Sequence, residues 1–109
     1  MAYILIAEPS AALRQLLEHV ITDLGHQAVS PDELSGDVDC DVLLLEPAWP
    51  RGCRLARQLV ARKPTLPIIF VGGTKRAKLA EALVAHAEVP KPFALEDLER
   101  AIIETVTNQ

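Results

Sequence analysis

Short apolar runs alternate along this chain with segments whose apolar residues recur at helical spacing, and that alternation restricts the fold more than any single motif does. A strand that reads as a continuous apolar run is buried on both faces, which calls for a parallel sheet with helices on either side. Five strand-helix units fit into the 109 residues. The expected architecture is one doubly wound α/β domain spanning residues 1–109, a five-stranded parallel sheet in a three-layer sandwich. A chain of this length buries about 65% of its unfolded surface and has no room for a second core.

The units can be placed along the chain. The first strand is Tyr3–Ala7; Ser10 then caps a helix running to about Leu24, with Leu13, Leu16, Leu17, Val20 and Leu24 turned inward and Gly25 ending it. A short strand, Gln27–Val29, leads to Ser30-Pro31-Asp32-Glu33, where serine, first-turn proline and third-position glutamate make a capping box. The helix after it is brief, since Gly36 and an acidic stretch interrupt it. Val42–Leu45 is the expected central strand. Pro50 and Gly52 break the next loop, and Leu55, Leu59 and Val60 define a helix that ends near Lys63-Pro64. Residues 67–71 form the fourth strand. Gly72-Gly73 turns the chain, Thr74 caps a helix over residues 74–87, Val89 marks a very short fifth strand, and residues 95–106 make the last helix.

Composition excludes several classes of function. The apolar stretch Tyr3–Ala7 has no basic flank and runs directly into Glu8, so it is neither a signal peptide nor a membrane span, and a cytoplasmic location is expected. Cys40 and Cys53 lack metal-ligand or CxxC spacing and read as packing thiols. A net charge of −4 argues against general affinity for nucleic acid or anionic membrane. His19, His26 and His86 are dispersed and read as surface or rim residues.

The chemistry-bearing residues sit at strand ends. Glu8 follows the first strand, Glu46 follows the third, and Lys91-Pro92-Phe93 follows the fifth; two acids and a lysine so placed are parts of a phosphate-handling pocket. With Pro50 four residues after Glu46, and with Ile4-Leu5-Ile6, Ala12-Leu13-Arg14 and Pro67-Ile68-Ile69, the chain resembles the receiver domain of bacterial two-component response regulators over essentially its whole length. The resemblance implies a flavodoxin-like fold with strand order 2-1-3-4-5. It also implies a pocket in which Glu8 stands at the first acid, Glu46 at the phosphate acceptor and Lys91 at the lysine.

Departures from the pattern point to a pseudo-receiver. Pro9 stands where the second acid would reach magnesium, so Glu8 and Glu46 retain at most a weak metal site. Glutamate at 46 is one methylene longer than the aspartate of the family, a displacement of about 1 Å, which can cost about 100-fold in rate. Gly72 replaces the hydroxyl residue that closes onto the phosphoryl group, and residues 87–90 lack the aromatic that reports that closure. Lys91 and Glu46 are expected to form an ion pair rather than an imitation of the phosphorylated state. No catalytic residue and no cofactor are expected, and Trp49, Pro50 and Pro92 would rim the pocket.

Function then has to come from surfaces. The resemblance implies docking to a histidine kinase, phosphotransferase or regulator, and a possible homodimer through the fourth helix, fifth strand and fifth helix, where Lys75, Arg76, Lys78, Leu79, Leu83 and Arg100 stand. With no output domain after Gln109, a stand-alone signalling module is expected, without enzymatic activity. Two alternatives remain open. One is a divergent regulator that still phosphorylates Glu46. The other is an anion, nucleotide or nucleic-acid binding module that uses Arg51, Arg54, Arg57, Arg62 and Lys63 with the turn Gly72-Gly73-Thr74-Lys75.

Overall fold

The computed structural model describes residues 1–30 and 39–108. In chain order these form β1 (Tyr3–Ala7), α1 (Ala11–Asp23), β2 (Gln27–Val29), β3 (Val42–Leu45), α2 (Pro50–Arg62), β4 (Ile68–Gly72), a 3₁₀ turn (Lys78–Ala82), β5 (Ala87–Pro90) and α3 (Leu95–Thr107). The five strands are all parallel and lie in the order β2-β1-β3-β4-β5. This is the expected doubly wound, flavodoxin-like sandwich. The capping box at Ser30-Pro31-Asp32-Glu33 and the brief helix after it fall outside the described residues.

Two cores follow from the period-2 alternation of side chains along each strand. Ile4 and Ile6 of β1, Val42 and Leu44 of β3, and Ile69 and Val71 of β4 face one side, against Leu17, Val20 and Ile21 of α1 and Leu98, Ala101 and Ile102 of α3. Leu5 and Ala7, Leu43 and Leu45, and Ile68 and Phe70 face the other, against Cys53, Ala56 and Leu59 of α2 and Ala80 of the 3₁₀ turn. Every residue of β3 and β4 is buried, as runs that pack on both faces must be.

The first helix begins as expected: the Ser10 hydroxyl accepts a hydrogen bond from the Leu13 amide at 3.3 Å. Gly25, at φ +88°, takes the left-handed conformation that reverses the chain. One inward assignment on α1 is corrected. Leu16 is exposed, and Ile21 fills the core in its place, because the buried stripe of α1 runs through Leu17, Val20 and Ile21.

The larger correction concerns residues 74–87, expected as a helix capped by Thr74. Only the 3₁₀ turn Lys78–Ala82 forms, and β5 already begins at Ala87. Ala77 is extended, at φ −68° and ψ 151°, which would break a helix near its start. Its amide donates to the Pro47 carbonyl at 2.7 Å, and the His86 amide donates to the Ile68 carbonyl at 2.7 Å, a bond that draws the chain into the sheet and removes a donor from any helix. The strand boundaries shift as well: β4 lies one residue later at both ends, at Ile68–Gly72, and β5 extends over four residues rather than around Val89 alone.

Candidate functional site

Parallel strands deliver their C-terminal ends to one edge of the sheet, which is where open α/β folds hold ligands. Glu8 leaves β1 there, Glu46 leaves β3, Gly72 ends β4, and Lys91 follows β5. The structure therefore brings together all four residues predicted for the pocket. The Lys91 amide donates to the Gly72 carbonyl at 3.1 Å, and the Lys91–Pro92 peptide is cis.

Lys91 bridges the two acids. Its Nζ lies 2.6 Å from Glu8 Oε1 and 2.7 Å from Glu46 Oε1. The second oxygen of each carboxylate is also occupied: Glu8 Oε2 accepts from the Ser10 amide at 2.9 Å, and Glu46 Oε2 from the Ala48 amide at 3.0 Å. Arg14 Nη1 adds a 3.3 Å hydrogen bond to the Glu8 carbonyl. Glu8 is buried, and the side chains of Glu46 and Lys91 are 12% and 26% exposed, so the two carboxylates share one ammonium largely out of water. Burial pulls the Lys91 ammonium toward its neutral form, but hydrogen bonds to Glu46 and Glu8 and the charges of both outweigh it, and its pKa is raised.

This arrangement answers how Glu46 fits. Its carboxylate lies against Gly72, where an added Cβ would fall 2.9 Å from Pro47 Cδ and 3.0 Å from Glu46 Cδ. Gly72 is thus the space that the longer side chain occupies. The donor set is also ill suited to magnesium, which takes about six oxygens in octahedral geometry. Each carboxylate is already shared between the ammonium and a backbone amide, and Pro9 has no side-chain oxygen. Among the described residues no group of three or more His, Cys, Asp or Glu could hold a metal ion.

The predicted rim residues divide. Trp49 is half-buried against the α2 core, its amide bonded to the Glu46 carbonyl at 3.1 Å and its ring so close to Gly52 that a Cβ there would fall 2.7 Å from Cε3. Pro50 opens α2, and Pro92 is exposed after Lys91. Of the predicted interaction residues, Lys75 and Lys78 are exposed; Arg76 pairs with Glu88 and stacks 4.9 Å over Phe70; Arg100 pairs with Asp97 at 3.2 Å. Leu79 and Leu83 are partly buried against the second core. These side chains do not stand on a fourth α-helix, so the helical face expected for a homodimer is absent in that form. His19 also has a carboxylate at helical spacing, exposed Asp23 at 3.9 Å.

Sequence reasoning missed the amides of Ser10 and Ala48, because every residue but proline carries a backbone N–H and no motif marks these two. It also missed two clefts. One, of about 480 Å³, runs from Lys91 past Gly73 and Thr74 to Arg76. The other, of about 550 Å³, lies at the opposite end of the sheet among Asp41, Lys63, His86 and Glu104.

The strand order and the helical layers define a doubly wound, flavodoxin-like α/β fold. No protein-family model and no curated protein matches the chain. Among solved structures, it is similar to a response regulator receiver domain from Clostridium thermocellum, with 18% identity, a TM-score of 0.77, and coverage of 99% of this chain and 96% of that one. It is also similar to the chemotaxis protein CheY4 of Vibrio cholerae, with 19% identity, a TM-score of 0.78, and coverage of 96% and 98%. A third likeness is to NtrX from Brucella abortus in complex with ADP, with 20% identity and a TM-score of 0.78; it covers 98% of this chain and 26% of NtrX. At such identities the likeness carries the fold: the chain has the receiver fold of response regulators. Among the described residues no helix is long and apolar enough to cross a membrane.

Proposed function

We propose that this chain is a pseudo-receiver, a signalling module of a two-component or phosphorelay pathway that docks to other proteins largely independently of phosphorylation. The observation that carries this reading is the ion triad Glu8–Lys91–Glu46, in which both oxygens of each carboxylate are engaged. A phosphoryl acceptor needs a carboxylate oxygen presented to the donor and a cation beside it to take up developing charge. Here Lys91 is the cation, and Glu46 fills the space above Gly72 where a hydroxyl side chain would close. The pocket is an internal cross-link between β1, β3 and the segment after β5. On this reading the chain is not an enzyme, uses no magnesium, and meets signalling proteins such as a histidine kinase, phosphotransferase or regulator in the cytoplasm.

Trp49 supplies the test, since its amide is tied to the Glu46 carbonyl. Its fluorescence is followed during titration with magnesium, then with beryllofluoride and acetyl phosphate, with intact-mass spectrometry on the product. The expected result is a flat response and no added phosphoryl mass. A saturable response with phosphate on Glu46 would replace this reading with a live, divergent switch.

A further inference from the structure

Helix α2 carries Arg51, Arg54, Arg57 and Arg62 and no acidic residue, in a chain of net charge −4. At about 100° per residue the four arginines share one arc with Gln58 and Ala61, opposite the buried Cys53, Ala56 and Leu59. All four are exposed. A solvated helix face needs polar residues, and the helix dipole favours Arg62 in the last turn, yet nothing in helix stability asks for Arg51, Arg54 and Arg57.

Local physics disfavours this pattern. Arg51 lies in the first turn, at the positive end of the helix dipole, where the helix has no acidic residue and its N-cap, Trp49, makes no side-chain hydrogen bond. Arg51 with Arg54, and Arg54 with Arg57, are like charges at i,i+3 spacing, which destabilises a helix. Among the described residues, Arg51, Arg54 and Arg57 make no ion pair or hydrogen bond, a state shared by Lys75 and Lys78 outside the α-helices, whereas Arg14, Lys63, Arg76, Lys91 and Arg100 are all engaged. Residues that break local rules without a compensating contact mark a surface kept for another purpose.

We propose that the exposed face of α2 is a docking surface for an acidic segment of a partner protein. Arg51 to Arg57 rise about 9 Å along the helix, the span over which three carboxylates of a peptide can meet them. Complementary charge of this kind steers encounter and fixes register. Nucleic acid fits less well: the chain as a whole is negative, and its exposed aromatic is Tyr3, away from this face, so no stacking platform accompanies the arginines. The inference goes beyond the closed pocket and holds whether or not Glu46 accepts phosphate.

The test is fluorescence anisotropy of a labelled oligoglutamate peptide with the whole protein. Binding is expected to weaken with added salt and to fall about tenfold or more in Arg51→Ala, Arg54→Ala, Arg57→Ala, while Lys75→Ala, Lys78→Ala changes it by less than about twofold. The single variant Arg54→Glu should show the same loss, and thermal melts of both arginine variants should match or exceed the parent because like-charge repulsion is relieved. Equal loss with the lysine variant, no binding at low salt, or tighter binding of a DNA duplex would overturn the proposal. So would a dimer in sedimentation that the arginine substitutions abolish, which would make a second copy the occupant. None of these outcomes alters the result of the Trp49 titration, so the two readings fail separately.

Discussion

Glu46 and Gly72 share one volume: the carboxylate of the first lies where any side chain on the second would begin. The two positions are therefore coupled. Gly72→Thr is expected to destabilise the parent by about 1–3 kcal/mol through overpacking, and Glu46→Asp, which withdraws the carboxylate by one methylene, should recover part of that loss. Urea unfolding of the two single variants and the double variant measures the coupling, expected at about 0.5 kcal/mol or more. Additive losses would show that the two residues do not compete for space.

Lys91 holds two carboxylates that would otherwise face each other with little water. Removing one partner of a buried charge group costs about 3–5 kcal/mol, and the partial exposure of Lys91 places Lys91→Met at the low end, about 3 kcal/mol. The raised pKa of Lys91 sets the pH window. The stability it contributes is fully present below its ordinary value of 10.5 and is lost as pH rises through the folded value above it. The difference in unfolding free energy between parent and Lys91→Met should thus be constant from neutral pH up to about 10.5 and shrink beyond it. A difference that shrinks already at neutral pH would contradict the triad.

Both thiols should be inert in the folded protein. Burial pushes the Cys40 thiol up to about 11, against the opposing charge of Lys63, and burial followed by the charge of Glu46 raises Cys53. Because the thiolate is the reactive form, iodoacetamide near pH 8 should label neither residue until denaturant is added, with Cys40 holding roughly one thiolate in a thousand. Mass spectrometry of native and unfolded samples gives the comparison, and rapid native labelling would contradict the packing.

The segment between β4 and β5 should exchange its amides faster than α3. Its 3₁₀ turn offers few internal hydrogen bonds, whereas α3 carries a continuous ladder over Leu95–Thr107 and packs Leu98, Ala101 and Ile102 into the core. Hydrogen exchange followed by mass spectrometry should separate the two regions by at least about tenfold in rate. Equal protection would mean that residues 74–86 are held as firmly as a helix.

Much of this was legible in the chain. The apolar runs at β1 and β3 predicted those strands to the residue, since a strand buried on both faces leaves a local trace that needs no partner to be read. The four pocket residues were legible for a related reason: parallel strands put their C-terminal ends on one edge, so Glu8, Glu46, Gly72 and Lys91 had to meet. Leu16 was misplaced because apolar spacing permits two adjacent stripes on α1, and only the packing against β1 and β2 chooses Ile21.

Local pattern, then, decided the layers, the strand positions and the edge at which the charges gather, because periodicity and strand ends are properties of short stretches of chain. Tertiary structure decided the rest. Residues 74–86 have the alanine and leucine content of a helix, but the ties from Ala77 to Pro47 and from His86 to Ile68 join groups about 18 to 30 positions apart and hold the segment to a 3₁₀ turn. Gly72 reads in isolation as a lost hydroxyl; beside Glu46 it is the space that lets a longer carboxylate reach Lys91. Such contacts depend on where separate strands place their ends, and no stretch of sequence carries that distance on its own.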